Sequence, residues 1–193
     1  MKRGWKRFWL CGSALALWVP ASTALLQSGL PRRANEVTLA GLRPGRDTLA
    51  TARSLYGEKR RTVPPVEGKV WTWEDACRRR ALRVGADERG VIQTLTLSEG
   101  AGDGNCTDPA ADPARSRHWK AGRGLTLGDL RQRVLQLYGA PNSTSPSVRG
   151  QQELELLFYA FDWAGSDVPQ VMEVTCDRAS GRVVEITLAF PSL

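Results

Sequence analysis

The tripeptide Leu-Tyr-Gly stands twice in this chain, at Leu55-Tyr56-Gly57 and at Leu137-Tyr138-Gly139. Internal echoes constrain architecture more than any composition does, because a repeated segment implies a repeated way of burying a core. The surroundings of the tripeptide echo as well. The first copy follows Gly41-Leu42, Gly45, Leu49 and Ala52; the second follows Gly124-Leu125, Gly128, Leu130 and Val134. Leu130, Val134, Leu137 and Tyr138 fall at i, i+4, i+7 and i+8, one face of a helix. Leu49, Ala52, Leu55 and Tyr56 nearly do the same. Asp47 or Thr48, and Asp129, are the expected N-caps, since their side-chain oxygens can accept first-turn amides. Gly57 and Gly139 supply left-handed stops.

Downstream, "KVWTW" at 69–73 corresponds to "LLFYAFDW" at 156–163, and "LRVGADERGVIQTLTL" at 82–97 to "MEVTCDRASGRVVEITL" at 172–188. Each pair reads as strand, turn, strand, with alternation clear in Met172, Val174, Cys176 and in Val184, Ile186, Leu188. The turns "DERG" and "DRASG" end in Gly, as hairpins do. The fold class expected is therefore α+β: two tandem repeats, each a helix, or a helix-loop-helix, followed by a three- or four-stranded antiparallel sheet. The segments "RRTVPPVEG" at 60–68 and "NSTSPSVRGQQ" at 142–152 read as loops. Residues 100–121, rich in Gly, Pro, Asp and Ala, read as a linker. The expected organisation is a signal peptide over 1–24, repeat 1 over 37–99, the linker, and repeat 2 over 122–190.

The N-terminus carries Lys2, Arg3, Lys6 and Arg7, then an apolar run from Phe8 to Val19, Pro20, and the small residues Ala21 to Ala24. This is the pattern of a secretory signal peptide, with Ser22 and Ala24 at the −3 and −1 positions. The run is short of the roughly 20 apolar residues a bilayer requires, so no stable membrane span is expected in the mature form. The alternative is an uncleaved N-terminal anchor. The predicted location is extracytoplasmic, periplasmic or secreted. The whole chain has 27 Lys+Arg against 20 Asp+Glu, a formal charge of +7. Without the four leading cations the balance is 23 against 20, or +3, which gives no case for a nucleic-acid partner.

The spacing Gly128, Val134, Gly139, Pro141 resembles the G-x5-V-x4-G-x-P core of the SmpA/OmlA outer-membrane assembly lipoprotein family. The tandem arrangement is similar to the fold of the β-lactamase inhibitory protein. The resemblance covers 37–99 and 122–190, and implies an extracytoplasmic protein-binding scaffold. Leu10 before Cys11 leaves no lipobox.

No catalytic constellation, metal motif or cofactor fingerprint is found. The single histidine, His118, falls in the linker. H-E-x-x-H and C-x2-C pairs are missing, so zinc has no support. "RRR" at 78–80 reads as a solvated turn, with an anion-binding patch as the other reading. After export three cysteines remain. Cys77 precedes the second strand of unit one and Cys106 follows its third, so both fall at one sheet end and form a candidate disulfide. Cys176, in phase with Met172 and Val174, reads as a buried free thiol.

The expected function is an exported bacterial-type scaffold that binds another protein or an envelope component. The alternatives are an envelope enzyme of unknown type and a purely structural envelope protein. Aromatic residues are favoured at interfaces, and Trp71, Trp73, Tyr159, Phe161 and Trp163 form the candidate interaction surface, each set sharing one strand phase. The competing reading puts these aromatics in the core.

Overall fold

The computed structural model describes residues 35–58, 61–63, 69–100, 118–161 and 171–190. The elements run α1 (Leu49–Tyr56), β1 (Arg61–Val63), β2 (Lys69–Asp75), a 3-10 turn (Ala76–Arg78), β3 (Arg80–Ala86) and β4 (Ile92–Glu99). The second half follows as α2 (Arg131–Tyr138), β5 (Ser143–Arg149), β6 (Gln152–Ala160), β7 (Val171–Asp177) and β8 (Val183–Ala189). All eight strands belong to one antiparallel sheet, in the order β1-β2-β3-β4-β8-β7-β6-β5.

This corrects the expectation of two tandem helix-plus-sheet repeats. Among the described residues the fold is a single continuous sheet accompanied by two α-helices of eight residues each. The join is made by β4 and β8, which pair from Thr94↔Ala189 to Ser98↔Glu185. An isolated meander ending at β4 or β8 would present a row of unpaired amides and carbonyls; pairing the two last strands removes both exposed edges.

The register carries two apolar rows across the six central strands, from β2 to β6. One runs Trp71, Val84, Leu95, Leu188, Met172, Tyr159; the other runs Trp73, Leu82, Leu97, Ile186, Val174, Leu157. All twelve residues are buried. Because cross-strand neighbours on one face stand only about 5 Å apart, each row is a continuous packed ridge, and α1 and α2 contribute Leu49, Ala52, Tyr56, Val134 and Tyr138 to the same core.

The hairpins β3–β4 and β7–β8 form where the turn signals put them. Their turns do more than reverse the chain. Gly90 and Gly181 adopt φ of +82° and +67°, and their carbonyls accept the first amides of the helices, from Leu49 N (3.0 Å) and Arg131 N (2.8 Å). Helix capping is thus supplied by the sheet. Thr48 and Leu130 occupy the N-cap positions with no side-chain cap bond. Asp47 and Asp129 instead accept the upstream amides of Arg43 and Thr126. Leu130, expected on the buried helix face, is 51% exposed.

Two segments read as loops contain strands. β1 lies in 60–68 and β5 in 142–152. Every residue of β5 is exposed, so it has no buried face to impose an alternating pattern on the sequence. The linker also needs correction at its end. Trp119 and Ala121 are buried, and Lys120 O accepts the amide of Ala40 at 2.9 Å. Residues 101–117 and the proposed signal peptide lie outside the described residues. Among the described residues no helix is long and apolar enough to cross a membrane.

Candidate functional site

The aromatic residues singled out by strand phase are core residues. Trp71, Trp73, Tyr159 and Phe161 are 8%, 3%, 0% and 7% exposed. They do not form an open binding face, and Trp163 lies outside the described residues. The reason is a competition between two apolar phases in β6. Leu157 and Tyr159 take the helix side in register with Val174 and Met172, and Leu156 and Phe158 take the other.

Their contacts explain the repeated tripeptide. Trp73 Nε1 donates to Gly57 O at 2.9 Å, and Tyr159 OH donates to Gly139 O at 3.1 Å. In each half the glycine that ends the helix offers its carbonyl to an aromatic donor on the sheet. The preceding tyrosine packs on that same aromatic, with ring centroids 5.9 Å apart for Tyr56–Trp73 and 6.0 Å for Tyr138–Tyr159. A buried indole or phenol needs a polar partner, and the helix end, with its free carbonyls, supplies one.

An arginine-lined concavity lies elsewhere, at the end of the sheet where β2 turns into β3. It encloses about 480 Å³ and is lined by Arg78, Arg79, Arg80, Glu99 and Trp119, with the 126–128 turn opposite. Asp75 organises it. Its carboxylate accepts the Arg78 backbone amide at 3.1 Å, Arg78 Nη1 at 3.2 Å and Arg80 Nε at 3.0 Å. Partial burial raises the Asp75 carboxyl, but the hydrogen bonds from Arg80 and Arg78 outweigh it and hold the group below its ordinary range. Arg79 follows in the left-handed region, φ +50°. That reversal lets three consecutive arginines share one wall instead of alternating across a strand.

Arg80 sits deepest. Its guanidinium carbon stands 4.6 Å from the centre of the Trp119 ring, a cation–π stack. Trp119 in turn meets Tyr56 edge-on at 5.6 Å, so the cavity floor is anchored to the first Leu-Tyr-Gly helix. Burial is also the main influence on Arg80, lowering its pKa against the bond to Asp75. Its Nη2 lies 2.9 Å from Asp75 Oδ2 but is not aligned for a hydrogen bond, and is buried with no hydrogen-bond partner.

The sequence contains the signal for this site in "RRR", read there as a solvated turn. What it could not supply is the arrival of Trp119 from 40 residues downstream, on a segment whose neighbours look like linker. Of the cysteines, Cys77 is in the 3-10 turn beside the cavity and is exposed; Cys106 lies outside the described residues. Cys176 is buried and free, its thiol pushed up to about 11 by burial. His118 is half-buried, its ring close above the backbone of Gly41. Among the described residues no group of three or more His, Cys, Asp or Glu could hold a metal ion.

No family model matches the chain, and no characterised protein sequence matches it. Two solved structures are similar to it. One is a DUF4309 family protein, YjgB, from Bacillus subtilis, with 14% identity, TM-score 0.44, and coverage of 81% of this chain and 88% of that one. The other is a putative β-lactamase inhibitor protein from Streptococcus mutans, with 11% identity, TM-score 0.27, and coverage of 80% and 89%. Likeness at this level carries no functional argument. The resemblance to the SmpA/OmlA lipoproteins rests on the short glycine–valine–glycine–proline spacing alone.

Proposed function

We propose that this chain is an exported binding scaffold that engages another protein or an envelope component through the arginine-rich cavity. One observation carries the reading: the chemistry of the cavity wall. Arginine stays charged throughout the physiological range and presents fixed donors, so three of them around an indole recognise an anionic group rather than shuttle protons. A rigid sheet with continuous packed rows holds that wall in place. The test is cross-linking of the mature protein in its native envelope or culture fluid, with Arg78→Ala/Arg79→Ala run alongside. A discrete cross-linked species lost in the variant supports the reading; product formation from a small-molecule substrate, with no macromolecular adduct, would favour an enzyme.

Export belongs to the same proposal. It is supported by the basic residues, apolar run and small-residue string of 1–24, with mature protein beginning near Leu25. N-terminal sequencing that finds Met1 on the extracytoplasmic protein would leave the membrane anchor in its place. An oxidising compartment would allow Cys77 to pair with Cys106. The path supports it. Gly100 N donates to Arg79 O at 2.8 Å, so the chain leaving β4 starts against the turn that holds Cys77. Cys106 follows six residues later, and six residues can reach roughly 20 Å.

A further inference from the structure

We propose that the cavity formed by Arg78, Arg79, Arg80 and Trp119 takes a glutamate- or aspartate-rich loop or tail of a protein partner, an inference that rests on the binding-scaffold reading and specifies its ligand. Four features converge on a carboxylate. Asp75 bonds Arg78 and Arg80 together, fixing the direction of two guanidinium forks before any ligand arrives. Arg80 stands against Trp119 with its buried Nη2 2.9 Å from Asp75 Oδ2, so its charge backs the wall from behind the exposed Arg78 and Arg79. Arg79 is exposed and has no ion-pair partner among the described residues. Among the described residues the acidic groups beside the three arginines are Asp75 and Glu99, so this described cluster carries one net positive charge. Guanidinium forks match a carboxylate with two parallel bonds.

Size and lining choose between a peptide carboxylate and a free oxyanion. A volume of about 480 Å³ lies within the range of ligand pockets, about 300–1,000 Å³, and is far more than one inorganic anion fills. The Trp119 ring and Leu127 give apolar surface beside the charges. A glutamate side chain uses both, its methylenes beside Leu127 and its carboxylate on the forks of the exposed Arg78 and Arg79. A nucleic acid is a poorer fit, because its affinity grows with the number of phosphates neutralised, and this wall offers a single short cluster.

Titration of the mature protein with hexaglutamate peptide, followed by the Trp119 indole N–H resonance and by calorimetry, tests the proposal. Sodium phosphate is the second arm. The expected result is saturable peptide binding that shifts the Trp119 signal, weakened about tenfold in Arg78→Ala/Arg79→Ala, with phosphate producing neither at the same concentration. Both arginines are solvent-facing, and unchanged thermal melting of the variant shows that it is folded. Equal response to phosphate would make the cavity a general oxyanion site and overturn the peptide assignment. Peptide binding unaltered in the variant, or no Trp119 shift with any anion, would also overturn it. If the native cross-linked species persists in the variant, the scaffold reading survives and this cavity is not its binding site.

Discussion

The first and second halves of the sheet attach their helices with matching bonds, yet the arginine cluster and its indole stand only at the first. In both, a hairpin carbonyl caps the helix, a terminal glycine carbonyl accepts from a sheet aromatic, and a tyrosine packs on that aromatic. The halves diverge at the tyrosine hydroxyl. Tyr56 OH donates to Ala40 O at 2.6 Å, a neutral acceptor. Tyr138 OH donates at 2.6 Å to Glu36 Oε2, and the Glu36 carboxylate also accepts the amides of Val37, Thr38 and Arg123. Glu36 is 1% exposed, so this clasp closes the space around the second helix and binds the start of the described chain to the 120s segment. In the first half Trp119 packs on Tyr56 and carries Arg80 over its ring, with the exposed Arg78 and Arg79 beside them. The same scaffold therefore gives a sealed joint in one half and a receptive one in the other.

The largest effect should be symmetric. Trp73→Ala and Tyr159→Ala each delete a buried aromatic and the donor to a helix-terminal carbonyl, and each should destabilise by about 3–5 kcal/mol. Chemical denaturation of the two variants measures this. A loss confined to one half would break the equivalence of the joints. Unchanged stability in either would return that aromatic to the surface reading that its burial now excludes.

The cysteines separate the halves next. The proposed Cys77–Cys106 bridge ties the first half alone and should contribute about 2–4 kcal/mol. Cys176 in the second half is free and buried. Thiol titration of denatured, unreduced mature protein should therefore find one free cysteine. Three would remove the bridge. In the folded protein Cys176 should resist alkylation near neutral pH, since burial holds its thiol up at about 11 and the thiolate is the reactive form.

The hydroxyls sharpen the contrast further. Tyr138→Phe removes a bond to a carboxylate and should cost about 1.5–3 kcal/mol, whereas Tyr56→Phe removes a neutral bond and should cost about 0.5–1.5 kcal/mol. Equal losses in denaturation would mean that the Glu36 clasp adds nothing beyond an ordinary hydrogen bond.

How much of this could be read from the chain depended on whether a residue's neighbours were near in sequence. The helix faces around Tyr56 and Tyr138, and the hairpins ending at Gly90 and Gly181, are local, and their periodicity and turn residues exposed them. The β4–β8 seam is not local. Leu95 and Leu188 are ordinary alternating strand residues, and nothing in either strand says that its outer neighbour is the other rather than solvent. β5 has no buried side chain and so left no pattern. The exposed-face assignment failed at Trp71 and Tyr159 because phase separates two sheet faces without saying which one the helices cover. Trp119 and Arg80 were each visible, but their stacking joins residues whose intervening sequence has no periodicity to place them.

The smallest expected effect is acid sensitivity confined to the first half. Asp75 has its folded-state pKa lowered, with bonds from Arg80 and Arg78 overcoming the opposing effect of burial. Its contribution is then fully present above the unfolded carboxyl value, about 3.9, and is lost as pH falls through the lower folded value. Protonation weakens Asp75 as an ionic acceptor for both guanidiniums, so the cavity wall should loosen while the core rows hold. Partly exposed ion pairs contribute about 0.2–1 kcal/mol. Thermal melts of the natural chain and of Asp75→Asn, taken from pH 7 down to pH 3, should show a small stability gap that narrows only below the unfolded carboxyl value. A gap of constant size across that range would mean that Asp75 acts through its neutral hydrogen bonds, and that the first half owes nothing to charge in holding its arginines.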